Sequence, residues 1–256
     1  MLAGIREICL ITSTIDKPLF QRLLGDGSHL GIQLHYGIQD KPNGIAESFL
    51  IAKPYLGESP TMLILGDNLF FGSNLPGELT NASQLTEGAH LFAYRVRDPS
   101  RYGVAQLSGD TISAIIEKPT IPPSPWAITG LYAYDACVYS YASTLSPSAR
   151  GKLEITDINN LYIAQNAAKL TKMSRGVAWL DTSTCDAILH AAQFVQTIEE
   201  RQNCLIASVE EIAFQKGWIN QKQLLKCAKK LKPSPYGNRL EEIANSSEGQ
   251  NKLSLA

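Results

Sequence analysis

Leu63-Ile64-Leu65-Gly66-Asp67-Asn68 is the stretch on which the fold turns: a short apolar run stops abruptly at Gly, Asp and Asn. A buried strand reads this way when its carboxyl end delivers an acidic side chain. In open α/β sheets, ligands sit outside those strand ends. Gly-Asp-Asn is equally ordinary turn composition. Taken alone, the stretch favours the turn, and the surrounding chain must decide.

Outward from it, the apolar runs alternate with helical patterns. Upstream, residues 8–12 form a β-rich run, and residues 17–24 read as a helix stopped by Gly25-Asp26-Gly27. Ile32, Leu34, Tyr36 and Ile38 then alternate as in a strand. Strand, helix, strand is the opening of a parallel α/β layer. A loop over 39–44, with Pro42 and Asn43-Gly44, precedes a helix over 45–52 that carries Ala46, Phe49, Leu50 and Lys53 at helical spacing. Gly44 reads as a plain turn glycine or as a point where backbone approaches a phosphate or sugar closely.

Downstream, strands are expected over 91–96, 103–107, 111–116 and 128–134, with a hairpin turn at Ser108-Gly109-Asp110. A helix follows Gly151-Lys152-Leu153-Glu154-Ile155, with Thr156 or Asp157 as its cap. Strands over 169–175 and 177–182 come next, the second ending at Asp181. Helices then close the chain, marked by the stripe Ile188, Leu189, Ala192, Val195, Ile198, a capping box at Ser208 and an amphipathic run from Leu224 to Leu231 ended by prolines. Residues 1–245 are expected to form a single domain, and 246–256 a disordered polar tail.

The 256 residues are 44% hydrophobic and carry 23 basic against 24 acidic side chains, a net charge of -1. That balance argues against a general nucleic-acid or polyanion binder and leaves a local basic pocket open. Five cysteines, at 9, 137, 185, 204 and 227, are odd in number and contain no C-x-x-C pair, so reduced thiols are expected rather than a disulfide framework or a zinc site. No signal-peptide pattern and no membrane-length apolar run occur, so no membrane partner is expected and a cytoplasmic location is.

Two aspartates, Asp67 and Asp181, stand at strand ends, and Glu117-Lys118 stands at a third. Two carboxylates brought together can hold Mg²⁺ beside substrate phosphates. A metal there neutralises a triphosphate as a phosphoryl bond breaks. Glu117 could accept from sugar hydroxyls and Lys118 could neutralise a sugar phosphate. Each piece alone is weak, since strand-end aspartates are common and a Glu-Lys pair is usually a solvated edge.

The order of motifs is far more specific. Leu24-Gly25-Asp26-Gly27-Ser28, Gly66-Asp67-Asn68-Leu69-Phe70-Phe71-Gly72, Val96-Arg97-Asp98-Pro99, Tyr102-Gly103-Val104, Glu117-Lys118-Pro119, Gly130-Leu131-Tyr132, Leu153-Glu154-Ile155-Thr156-Asp157 and Trp179-Leu180-Asp181-Thr182 follow one another. In that order, from residue 1 to about 245, the chain resembles the bacterial glucose-1-phosphate thymidylyltransferases of the sugar-phosphate nucleotidyltransferase family. The resemblance implies Mg²⁺-dependent reaction of dTTP with glucose 1-phosphate to give dTDP-glucose and pyrophosphate, a step of nucleotide-sugar (rhamnose and polysaccharide) biosynthesis. It implies Asp67 and Asp181 as metal ligands, Gln39 and Gly44 against the thymine, Gly103, Glu117, Lys118 and Gly130 around glucose 1-phosphate, and Arg150 on phosphate. It also implies a homotetramer and an α/β fold: a Rossmann-like domain with a mixed, mostly parallel central sheet and a helical C-terminal part.

The likeness has departures. The family opens with a strand, a Gly-Gly-x-Gly-Thr-Arg-Leu loop and a Lys-Gln-Leu-Leu-Pro segment, and the present sequence aligns after them, with the first, central strand missing. Backbone N–H groups of such a loop cradle a triphosphate. Loss of one charge stabiliser typically costs about 10²–10³ in rate, so loss of the loop with its Arg and of the Lys in the following segment should cost more. Ser183-Thr184-Cys185 also stands where the family usually has Gly-Thr-His. Two readings follow: an enzyme whose N-terminal segment lies outside this sequence, or a catalytically incompetent truncated relative that serves as a binding or assembly subunit.

Overall fold

The strand-helix-strand opening forms as the apolar periodicity requires. The computed structural model describes residues 1–246. β1 (Glu7–Thr12) and β2 (Gln33–Ile38) pair in parallel, from Glu7 against Gln33 to Thr12 against Ile38, with α1 (Lys17–Leu24) as the crossover. α2 (Glu47–Leu56), β3 (Thr61–Ile64), β4 (Asn68–Phe71) and α3 (Leu75–Ser83) follow. The strand-rich middle is β5 (Ala89–Arg95), β6 (Gly103–Ser108), β7 (Thr111–Glu117) and β8 (Trp126–Tyr134). Then come α4 (Cys137–Thr144), α5 (Ile155–Ala164), β9 (Ala168–Lys172) and β10 (Ala178–Asp181). α6 (Cys185–Gln202), α7 (Val209–Gln215), α8 (Gln221–Leu231) and α9 (Pro235–Asn245) complete the described residues. The tail expected over 246–256 lies outside them from residue 247 onward.

The six-stranded sheet runs β7-β6-β8-β5-β9, with β3 also on β8. It is mixed, but the expectation of mostly parallel pairing is wrong here. Only β5 with β9 is parallel in this sheet; β3–β8, β5–β8, β6–β7 and β6–β8 are antiparallel. The physical reason lies in the connections: β6 and β7 are joined by a two-residue hairpin turn, which forces antiparallel pairing. β8 is the spine, buried at every position but Trp126. Along one edge it pairs β5; its other edge serves β6 at Ala127 and β3 at Leu131 to Tyr134.

Tyr134, Tyr139 and Tyr162 fill the main core between this sheet and α2, α4 and α5. Buried tyrosines need partners for their hydroxyls. Tyr134 donates to Asn159 Oδ1 at 2.5 Å and Tyr162 to Asp135 Oδ1 at 2.6 Å. A second core, with Leu30, Ile32, Leu224 and Leu240, joins the β1–β2 side to α7–α9 through Ile8 and Leu34.

The β1–β2 pair is separate from the six-stranded sheet. α2 packs on both, touching β1 and α4 and inserting Phe49 beside Tyr134. Among the described residues, neither β1 nor β3 has a strand on its second edge. Ile64 of β3 is accordingly 58% exposed. Unpaired edges are templates for further strand pairing. The stripe foreseen on α6 is helical, but Ile188 and Leu189 are 55% and 56% exposed, so that part of it faces away from any core described. No helix among the described residues is long and apolar enough to cross a membrane.

One buried ionisable group makes stability depend on pH. His90 on β5 is 3% exposed, stacks on Phe92 with ring centroids 4.7 Å apart, and lies 2.7 Å from Thr171 Oγ1. Burial, with Lys169 nearby, lowers its pKa from 6.5 to about 4. Because the folded value lies below the unfolded one, the unfolded chain takes up the proton first. The contribution is complete above pH 6.5 and is lost as pH falls from there to about 4. Melting temperatures measured across that window should fall with pH in the native sequence, and His90→Gln should flatten that segment. An identical slope in the variant would refute the assignment.

Candidate active site

The Leu63 run resolves into both of its readings at once. β3 ends at Ile64, and Asn68 N–H donates to Leu65 O at 3.1 Å, which makes 65–68 a tight turn. The turn leads straight into β4, a strand that the sequence did not announce. β4 pairs antiparallel with β10, with Asn68 opposite Asp181. Thr182 then donates to Asp67 O from its backbone N–H at 2.8 Å and its hydroxyl at 2.9 Å. The turn therefore carries Asp67 to the strand end that bears Asp181.

Polar and aromatic groups brace both carboxylates. Asn68 Nδ2 donates to Asp67 Oδ1 at 2.7 Å, and its Oδ1 accepts from Trp179 Nε1 at 2.6 Å and Gly130 N–H at 3.1 Å. Tyr102 packs on Trp179 with ring centroids 5.1 Å apart and donates its hydroxyl to Asp181 Oδ2 at 3.2 Å. Ser183 donates to Asp181 through N–H at 3.0 Å and Oγ at 3.1 Å. Burial first, then the Asp181 charge, raises the Tyr102 pKa, so this hydroxyl stays a donor.

The Glu-Lys pair sits at the end of β7. Gly103 faces Glu117 across the β6–β7 ladder, and a Cβ at 103 would stand 3.3 Å from Glu117 Oε2. Thr156 donates to that oxygen at 2.7 Å. Thr156 or Asp157 was expected as the helix cap; α5 instead starts at Ile155 with Glu154 at the N-cap position, and the Thr156 hydroxyl goes to Glu117. Arg150 reaches Glu117 at 3.3 Å and Glu154 at 3.5 Å. Lys118 has φ of 45°, rare for a side-chain-bearing residue, and its N–H donates to Tyr102 O at 3.0 Å. Such backbone strain tends to gather at functional sites.

Gln39 and Gly44 lie at the other end. Gln39 Nε2 donates to Gly44 O at 3.0 Å and to Glu47 Oε2 at 2.7 Å. Gly44 takes φ of 118°, and a Cβ there would meet Leu153 O at 2.2 Å. The close approach at Gly44 is to the Leu153 backbone, which only a glycine permits.

All nine residues singled out (Gln39, Gly44, Asp67, Gly103, Glu117, Lys118, Gly130, Arg150 and Asp181) line one cavity of about 600 Å³. Sequence reasoning missed Asn68 as a brace, and also Arg101, Tyr102, Lys152 and Trp179, which share the lining. Asn68, Tyr102 and Trp179 stand inside the motifs quoted above, and Arg101 and Lys152 directly beside them. Four cations (Arg101, Lys118, Arg150, Lys152) and four carboxylates (Asp67, Glu117, Glu154, Asp181) face this space. No cluster of three or more His, Cys, Asp or Glu able to hold a metal occurs among the described residues. Two carboxylates suit Mg²⁺, which keeps waters and leans on substrate phosphates. Asp67 Oδ2 has no hydrogen-bond partner among the described residues and is available to such an ion.

Residues 1–198 match the family described as Nucleotidyl transferase. The chain belongs to this family. It is 45% identical over 241 residues to a glucose-1-phosphate thymidylyltransferase of Neisseria gonorrhoeae, covering 94% of this chain and 84% of that one. It is 44% identical over 244 residues to a Mycobacterium tuberculosis protein of the same name, covering 95% and 84%. A Bacillus anthracis glucose-1-phosphate thymidylyltransferase solved in complex with a sucrose is similar at TM-score 0.69 and 36% identity, covering 75% of this chain and 77% of that one. A UDP-glucose pyrophosphorylase complexed with UDP-glucose, at TM-score 0.65 and 18% identity over 77% and 83%, shares the fold. A nucleotidyl transferase whose cavity sets four carboxylates among four basic side chains has groups that could serve both a cation and phosphates.

Proposed function

We propose that this chain is a glucose-1-phosphate thymidylyltransferase. A phosphate oxygen of glucose 1-phosphate attacks the α-phosphorus of dTTP, the bond to the β-phosphate oxygen breaks, and pyrophosphate leaves with that electron pair. The observation that carries the reading is the convergence of all nine residues on one cavity, with Asp67 and Asp181 on adjoining strand ends. Mg²⁺ bound there supplies charge stabilisation for the phosphates. Asp67 and Asp181 hold it; Glu117 accepts from sugar hydroxyls; Lys118 and Arg150 meet the sugar phosphate; Gln39 and the Gly44 backbone face the base. Homotetrameric assembly belongs to the same reading and is tested by light scattering.

Pyrophosphate release that requires dTTP, glucose 1-phosphate and Mg²⁺ together is the expected result. No release above blank would overturn the enzyme reading, and saturable binding of glucose 1-phosphate without release would favour the binding-subunit alternative. Arg150 now pairs with two carboxylates and must turn to the incoming phosphate. A charge-assisted hydrogen bond contributes about 1.5–3 kcal/mol, so Arg150→Ala should raise KM for glucose 1-phosphate roughly 10–100-fold. An unchanged KM would remove Arg150 from the sugar-phosphate site.

A further inference from the structure

Both ends of the Asn68 amide are committed, to the 65–68 turn and to two strands besides its own. Its Nδ2 donates within the β4 entry to Asp67 Oδ1 at 2.7 Å. Its Oδ1 accepts from Trp179 of β10 at 2.6 Å and from Gly130 N–H of β8 at 3.1 Å. Turning the amide over would set its NH₂ against two donors, so the orientation is fixed by the network. Room for it exists because residue 130 has no side chain: a Cβ there would lie 2.7 Å from Asn68 Oδ1. Trp179 in turn packs on Tyr102, which holds Asp181. One neutral amide thus stands between the scaffold and the Asp67 carboxylate, engaging one oxygen and leaving the other without a protein partner among the described residues.

We propose that Asn68 is a positioning residue. It locks Oδ1 of Asp67 so that Oδ2 is presented to the divalent cation, and it ties that carboxylate to the strand that bears Asp181. The inference rests on the reading of Asp67 as a metal ligand given above. Groups that orient a ligating carboxylate typically contribute about 10–100-fold in metal affinity or activity.

The test uses Mn²⁺ alone as probe, its binding to the full chain followed by electron paramagnetic resonance. Wild type should bind, and Asp67→Asn should not. Asn68→Ala should loosen Mn²⁺ about 10–100-fold and lower kcat while KM for glucose 1-phosphate stays put. Trp179→Phe keeps an aromatic ring but removes the indole donor, and should loosen Mn²⁺ less; it also serves as the second variant if Asn68→Ala does not fold. A merely structural role would lower the melting temperature and leave Mn²⁺ affinity alone. Wild-type affinity in the folded variants, with binding lost in Asp67→Asn, would overturn the positioning role and leave the metal reading standing. Absence of Mn²⁺ binding in the wild type would overturn both.

Discussion

Asp67→Asn is expected to cut pyrophosphate release by at least about 10²–10³-fold, the range seen when one electrostatic stabiliser of a transition state is removed. The substitution is nearly isosteric. The turn keeps its backbone bonds, because Thr182 donates to Asp67 O and not to its side chain. What disappears is one of the two carboxylates on adjoining strand ends, and with it half of the anionic charge that could hold Mg²⁺ there. Melting should move little, as expected for a partly exposed side chain outside the core. Stopped assays of pyrophosphate and a thermal melt on the same preparation decide the matter. Turnover within a few-fold of wild type would refute Asp67 as a ligand.

Gly44→Ala is expected to be among the most damaging single methyls in the described residues. The φ of 118° is foreign to any side-chain-bearing residue, and the added Cβ would lie 2.2 Å from Leu153 O and 2.6 Å from Leu153 N. These are backbone atoms, so no rotamer change relieves the clash. Leu153 is itself pinned, donating to Asn43 O at 2.6 Å and accepting from Ala46 N–H at 3.2 Å. Strained backbone costs about 1–3 kcal/mol, and the clash adds to it. At about 2–4 °C per kcal/mol for a chain of this size, melting should drop by roughly 2–12 °C from the backbone strain alone. Gln39, which donates to Gly44 O, should lose its place as well, and KM for dTTP should rise. A wild-type melt would show that the 39–44 loop gives way more easily than its hydrogen bonds indicate.

The elements were legible where the local code was redundant. Residues 17–24 have Pro18 in the first turn and Gly25 at the stop, and the helix forms over that span. Alternation at Leu34, Tyr36 and Ile38 foretold β2. Sheet direction was legible only in part: the Ser108-Gly109-Asp110 turn announced β6–β7 as antiparallel, whereas β3–β8, β5–β8 and β5–β9 join residues far apart in sequence. β4 was hidden because its four residues follow a turn without a break. Thr156 was misread as a cap because a hydroxyl near a helix start has two possible uses, and only the fold brings Glu117 within reach. For the site, Asp67, Asp181 and Glu117 are unremarkable singly, and their value lay in the order of the motifs around them. Asn68 stood inside the Gly66-Asp67-Asn68 motif, but nothing marked it as a brace, since an asparagine in a turn needs no further reason.

The division of the sheet has a mechanical consequence. Gln39 follows directly on β2, in the two-stranded pair, while Gly103, Glu117 and Gly130 belong to the six-stranded one. The two walls of the cavity therefore stand on separate foundations that share α2 as a common beam. A ligand long enough to touch both walls is a cross-brace between them. Its binding should slow amide exchange along β1 and β2, in backbone that it never contacts.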